Sequence, residues 1–323
     1  MQLYVVSSPL QLFNALEARE RFHAGQVNRL LYLYRKPIDR AQAEVLVDAG
    51  WNSVHYLRLN SLLRLFYPIW FAIWRWRWAR HVRRVYLGYL PNLRAHIANT
   101  LRAEVWVVDD GHLSVAQNAG IADGSLRSRV SLADRLLGRK TGLGYLTRAH
   151  VFSAYPSAGL DPARYTFNDY ACFRRRTAHL PTRPGCVFIG TPLQDILSHA
   201  DQVYPDLLAQ ICDHYAGQRV CYAAHRYEDL EVVRAACRGL PVDVVRFDTL
   251  IEWQFAKDGA CPEEISTLLS SAIDTLSLLY PVRARLFVLP DAWIRADKRD
   301  ICHHIARQAH ASGVLLTPLT ASA

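Results

Sequence analysis

Lysine is almost missing from this chain of 323 residues, occurring only at positions 36, 140, 257 and 298. The net charge of +9 is therefore carried by arginine, the better fork for carboxylates and phosphates; GC-rich coding produces the same bias. Cysteine is absent before position 172, and the seven present (172, 186, 212, 221, 237, 261 and 302) form no C-x-x-C pair. An odd, scattered set is a poor disulfide framework and a poor zinc site. Reduced thiols in a cytoplasmic protein are the simplest account. No run of 18 residues is free of charge, which argues against a membrane-spanning helix. No basic region precedes the first apolar run, so that run reads as a strand rather than a signal peptide. There is no repeat of fixed short period, no His cluster and no D-x-D pattern, so neither a metal nor another cofactor is expected.

What is present is globular. Hydrophobic residues make up 51% and charged residues 21%, and the length suits two domains with substantial cores. Short apolar runs alternate with helical periodicity. The spacing predicts strands at 2–6, 29–34, 54–57, 85–87 and 104–108, with helices at 10–22, 41–49 and 91–101 and a long segment at 62–84. Residues 119–150 read as loop and short helix. Residues 154–184, holding prolines at 156, 162, 181 and 184, carry little periodicity and contain the expected boundary between domains 1–175 and 184–323. A second series follows, with strands at 186–189, 220–224, 242–247, 263–269 and 284–289, and helices at 204–216, 230–236, 272–280 and 300–311. Strands alternating with helices imply parallel sheets covered on both faces. The expected architecture is α/β, two Rossmann-like domains facing a central cleft.

In such sheets ligands sit outside the carboxyl ends of the strands, so the polar residues that end strands are the candidates. Ser7 and Ser8 end the first strand. Asp109-Asp110-Gly111 ends the strand at 104–108. A carboxylate there suits general-base work, tuned by its neighbour, while Asp-Gly is equally a turn signal. His225 follows a buried strand, where it suits a phosphate or a leaving group, and Arg226 adds a bidentate donor; a histidine satisfied at a helix start fits the same pattern. Ser270-Ser271 opens a helix, giving either a phosphate site or an ordinary N-cap.

Taken in order, Asp109-Asp110-Gly111, His225 and Ser270-Ser271 resemble the motifs of the bacterial GT-B-type sialyltransferases, especially the lipooligosaccharide and polysialic acid groups. Val5-Val6-Ser7-Ser8-Pro9-Leu10-Gln11 and Phe188-Ile189-Gly190-Thr191-Pro192-Leu193 are similar to segments of that group. The resemblance spans positions 5 to about 280. It implies a GT-B-like fold and an inverting, metal-independent transfer of a nonulosonic acid from its CMP-activated form to a bacterial surface glycan. Carried over, Asp110 is the base, Asp109 its support and Gly111 the turn. His225 contacts the CMP phosphate and serves as the acid for the departing nucleotide, and Ser270 and Ser271 hold that phosphate. Glu252 binds the ribose hydroxyls, and Gly190 lets the chain pass close to the nucleotide. The family's His-Pro is His225-Arg226 here, which leaves the donor open among sialic acid, Kdo and their relatives. A transferase using UDP- or GDP-sugars on the same fold is the enzymatic rival, and a non-catalytic, membrane-associated scaffold of polysaccharide assembly is the rival of another class.

The stretch 62–84 holds Trp70, Trp74, Trp76 and Trp78, half of the tryptophans, interleaved with or followed by Arg75, Arg77, Arg80, Arg83 and Arg84. That is the pattern of a peripheral helix on anionic lipid at the inner face of the cytoplasmic membrane, or of an amphipathic helix packed on the sheet. No nucleic-acid motif accompanies the charge, so no nucleic-acid partner is expected.

Overall fold

The computed structural model describes residues 1–78, 81–88, 93–111, 113–126, 130–155 and 159–321. The chain divides into two compact units, Met1–Phe173 and Arg174–Ala323. In the first unit the described strands are β1 (Gln2–Val6), β2 (Asn28–Tyr34), β3 (Ser53–Arg58), β4 (Arg84–Leu87), β5 (Glu104–Val108), β6 (His150–Ser153) and β7 (Tyr165–Phe167). Its helices are α1 (Pro9–His23), α2 (Pro37–Leu46), α3 (Ser61–Trp78), α4 (Leu93–Thr100), α5 (Leu113–Ala122) and α6 (Leu132–Leu136). Helix α7 (Ala171–Thr177) straddles the division. The second unit contains β8 (Thr182–Ile189), β9 (Val220–Ala223), β10 (Val242–Val245), β11 (Cys261–Thr267), β12 (Arg283–Val288) and β13 (Leu315–Pro318). Its helices are α8 (Ala200–His214), α9 (Leu230–Ala236), α10 (Ile251–Asp258), α11 (Ala272–Leu279) and α12 (Arg299–Ala311).

Each unit is a parallel Rossmann-like sheet. The orders are β3-β2-β1-β4-β5-β6-β7 and β10-β9-β8-β11-β12-β13, and every paired strand is parallel. The winding reverses between β1 and β4 in one sheet and between β8 and β11 in the other. Those are the switch points where a doubly wound sheet opens a crevice at its carboxyl edge.

The central strands are apolar on both faces, as burial between two helical layers requires: every residue of β1 is buried. Helix α1 starts where Ser8 caps it and Pro9 fills its first turn; proline costs nothing there, because that N–H has no helical partner. Midway along α1, Glu17 accepts the backbone N–H groups of Cys172 (2.8 Å) and Phe173 (3.1 Å). Arg19 forks Asp48 through bonds of 2.6 and 2.8 Å and lies over Trp51.

Several short elements escape the sequence pattern. Strands β6, β7 and β13 are only three or four residues long and fall in stretches given no strand by the pattern. Strand β8 begins four residues before the expected position and runs through Pro184. The ladder with β11 shifts register there, and an irregularity of this kind is where a strand tolerates proline. Helix α10 lies in a stretch given no element by periodicity, and it stops at Gly259 in the left-handed conformation (φ 70°).

Helix α3 is apolar on two sides. Tyr67, Phe71 and Trp74 are buried in the core of the first unit. Phe66, Ile69, Ile73 and Trp76 are exposed, at 44, 62, 67 and 65%. Packing on the sheet is therefore real, and it leaves an outer apolar stripe. Arg80 and the side chains of Arg77 and Trp78 lie outside the described residues. Phe71→Ala should cost about 3–5 kcal/mol through the cavity it leaves, whereas Ile73→Ser should stay within about 0.5 kcal/mol. Urea denaturation of the two variants checks this; equal losses would mean that α3 buries a different face.

Candidate active site

In the first unit, β1 and β5 deliver their carboxyl ends to one place. Ser8 Oγ accepts the Gln11 N–H at 3.1 Å and donates to Asp110 Oδ1 at 2.9 Å. Ser7 N–H donates to Gln11 Oε1 at 2.8 Å. The Gln11 side chain fills the switch point against Gly88, where a Cβ would overlap its Oε1. Asp110 is half-buried, and its N–H donates to Ser114 Oγ at 2.6 Å. Gly111 adopts φ 66° and accepts the Ser114 N–H at 2.9 Å. The Asp-Asp-Gly segment is thus a capped turn that leaves one carboxylate partly open.

Asp109 is the closed one, at 2% exposure. Its Oδ2 accepts the Ala154 N–H at 2.6 Å, and its carbonyl accepts from Asn14 Nδ2 at 3.3 Å. Asn168 in turn donates to Asn14 Oδ1 at 3.0 Å. Burial raises the Asp109 carboxyl to about 7 against the hydrogen bonds from Ser153, Ala154 and Ser114, with the neighbouring Asp110 adding to the rise.

In the second unit, His225 follows β9 in a loop tied at both ends. Its N–H donates to Glu228 Oε2 at 2.6 Å, and the Glu228 N–H donates back to the His225 carbonyl at 3.0 Å. The His225 Nδ1 accepts the Tyr227 N–H at 3.3 Å. Arg246 Nη2 donates to the carbonyls of Glu228 and His225. Burial, then Arg226 and Arg246, push the imidazole down to about 4. At neutral pH the ring is uncharged, and with Nδ1 accepting, the proton sits on Nε2.

Across the switch point, Thr267 Oγ1 donates to the Ile189 carbonyl at 2.9 Å and accepts the Ser270 N–H at 3.2 Å. This places the Ser270-Ser271 segment beside the end of β8. The two serines divide the roles expected of them. Ser270 Oγ accepts the Ala272 N–H at 3.3 Å, as a cap does. Ser271 stands at the start of α11 with no capping bond from its side chain.

Glu252 is buried at 1% exposure in the first turn of α10. Its Oε1 accepts from Thr275 Oγ1 at 2.6 Å, and its Oε2 has no hydrogen-bond partner among the described residues. Burial raises its carboxyl, opposed by Thr275 and by the charge of Arg226. Gly190 faces inward, where a Cβ would overlap Glu228 Oε2 and press on the Tyr222 ring.

Glu228, not among the candidates from the sequence, is 6% exposed and bonded to two tyrosines. Tyr222 donates to its Oε1 at 2.8 Å and Tyr204 at 3.2 Å. The only available signal was its place three residues after His225, the spacing of a capping box. Among the described residues, no group of three His, Cys, Asp or Glu side chains is placed to hold a metal ion.

The raised Asp109 carboxyl makes stability depend on pH. The folded chain keeps that proton up to about pH 7, while the unfolded chain releases it near the usual aspartate value. Stability is thus fullest at low pH and declines as pH rises from about 4 to about 7. Asp109→Asn removes the titration, so its Tm relative to the native chain should improve across that window and level off above it. A Tm difference independent of pH would mean that Asp109 is ionised throughout.

No protein-family model matches the sequence, and no curated protein matches it. Solved structures do resemble its fold. The spinosyn forosaminyltransferase SpnP aligns with a TM-score of 0.55 at 14% identity, covering 98% of this chain and 85% of that one. Arabidopsis thaliana UGT89C1, complexed with UDP-L-rhamnose, aligns at 0.54 and 11% identity, covering 98% and 84%. The S. aureus MnaA–UDP structure aligns at 0.51 and 8% identity, covering 96% and 87%. The two parallel Rossmann-like units are those of the GT-B fold.

Proposed function

We propose that the protein is an inverting, metal-independent glycosyltransferase that moves a nonulosonic acid from its CMP-activated form to a bacterial surface glycan. The fold shared with SpnP and UGT89C1 supports glycosyl transfer. The ordered motifs of the sialyltransferase-like group support the donor class. One observation carries the nucleotide assignment. His225, Arg226, Glu252 and Ser270-Ser271, which the resemblance assigns to nucleotide binding, follow successive strands of one parallel sheet at its carboxyl edge.

In this reading Asp110 takes the proton of the acceptor hydroxyl as that oxygen attacks the anomeric carbon, and the bond to the CMP phosphate oxygen breaks with its electrons. Ser8 holds one oxygen of Asp110 and leaves the other for the proton. Asp109 fixes the turn from beneath, and Gly111 permits it. Negative charge builds on the departing phosphate, where preformed donors act most strongly. Those donors are His225 Nε2–H, Arg226, the Ser271 hydroxyl and the start of α11, with Ser270 shaping that turn. A ring neutral down to about pH 4 serves as a hydrogen-bond donor rather than a proton donor. The unpartnered Oε2 of Glu252 suits a ribose hydroxyl. Gly190 gives the Glu228 carboxyl its room beside the phosphate loop.

We assign the outer stripe of α3 to an anionic membrane surface at the cytoplasmic face. Large apolar side chains at 66, 69, 73 and 76 lie on one side of the helix, with exposed Arg75 and Arg83 nearby in sequence. Among the described residues no helix is long and apolar enough to cross a membrane, so the contact would be peripheral. The charge-reversed Arg75→Glu, Arg77→Glu, Arg80→Glu variant should sediment less with phosphatidylglycerol-containing vesicles than the native chain does. Equal sedimentation would remove the lipid assignment.

A thermal-shift titration with CMP, CDP, UDP and GDP, with and without chelator, tests the donor. A bound ligand raises Tm according to its concentration over its Kd. CMP should raise Tm selectively and without regard to chelator. Asp110→Asn should keep that rise and lose transfer. A rise confined to UDP, the nucleotide part present in two of the similar structures, or to GDP would replace the donor class. No rise with any nucleotide would favour a scaffold.

A further inference from the structure

We propose that Glu228 is the positioning residue for His225, holding the imidazole so that its Nε2–H faces the donor phosphate. The proposal rests on the placement of His225 against that phosphate, but the geometry that supports it belongs to the second unit alone.

Three donors converge on the Glu228 carboxyl: Tyr222 OH at 2.8 Å, Tyr204 OH at 3.2 Å and the His225 N–H at 2.6 Å. Tyr204 OH also lies 2.6 Å from Tyr222 OH, so its single proton is shared between that oxygen and the carboxylate. Both tyrosines come from the scaffold, Tyr222 from β9 and Tyr204 from α8. The carboxyl is therefore pinned to the sheet and helix layers before it touches the loop. Through the His225 N–H it pins the loop at its first residue, and the Glu228 N–H closes the same turn on the His225 carbonyl. The Tyr227 N–H then reaches His225 Nδ1, which fixes the tautomer. Gly190 completes the arrangement, because a side chain there would displace Glu228 Oε2.

A buried carboxyl is costly unless its lone pairs are used. Here they are used on the backbone of the residue assigned to the leaving group. Misplacement of a group by about 1 Å can cost on the order of 100-fold in rate, which is what a second layer of this kind prevents.

The test reads CMP release from CMP-sialic acid together with the 15N signals of the His225 ring in the ligand-free protein. Glu228→Ala should lower kcat by about 10- to 100-fold with little change in KM. Glu228→Gln keeps an acceptor for the His225 N–H and should recover most of that loss. In a His225→Ala background Glu228→Ala should cost nothing further, because the two act as one unit. The ring signals should report a single Nε2–H tautomer in the native chain and in Glu228→Gln, and a mixture in Glu228→Ala. Additive losses in the double variant, or ring signals unchanged by Glu228→Ala, would overturn the proposal. If the native chain does not turn over CMP-sialic acid but Glu228→Ala still alters the ring signals, the positioning role stands and sialic acid is excluded as the donor sugar.

Discussion

Every strand paired in either sheet runs parallel to its neighbours, and that constraint governs the rest of the molecule. Parallel strands point all their carboxyl ends to one edge, and each connection must return across the sheet, most often through a helix. Polar residues that end strands are then gathered at one rim without any further device. The reversal of winding adds the crevice, between β1 and β4 in one unit and between β8 and β11 in the other. Ser7 and Ser8 lie at the first reversal, while Gly190 and Ser270-Ser271 lie at the second. Asp109-Asp110 stands one strand away from the first reversal, and His225 one strand away from the second.

Three carboxylic acids are sunk at these rims: Asp109, Glu228 and Glu252, exposed by 2, 6 and 1%. Burial raises all three, and each is differently compensated. Asp109 holds a backbone N–H of the next strand end. Glu228 collects two phenols and a loop N–H. Glu252 takes one hydroxyl and keeps an oxygen in reserve. Buried acids of this kind are poor sources of stability, and their presence beside strand ends fits a rim in which loop position matters more than the free energy of folding.

Much of this was legible in the sequence. The alternation of apolar runs with helical periodicity gave the parallel α/β class, because long central strands such as β2 and β5 are apolar on both faces. The polar residues singled out as ending strands do lie at the carboxyl edge of each sheet. The short elements β6, β7 and β13 were not legible, since β6 abuts and β7 lies within the proline-bearing stretch 154–184 and β13 is only a Leu pair before Thr-Pro. Pro184 misled, because it sits at a register shift inside β8 rather than at a strand boundary. Glu228 was hidden for a different reason. A glutamate in a polar loop sequence looks solvated, and only the fold brings Tyr204 and Tyr222 to it. Helix α3 admitted two readings, lipid contact or packing on the sheet, and the sequence could not show that one helix carries both an inward and an outward apolar side.

Gly190 and Glu228 occupy a shared volume: the space that a methyl group at 190 would fill is the space that the carboxyl at 228 takes up. The two positions therefore form one inherited character. A lineage that placed a side chain at 190 would have to shorten residue 228 in the same history, and with it lose the tie to the backbone at 225. Related chains that keep glycine at the end of this strand should keep the acid too, and where one drifts the histidine three residues before it becomes free to drift as well.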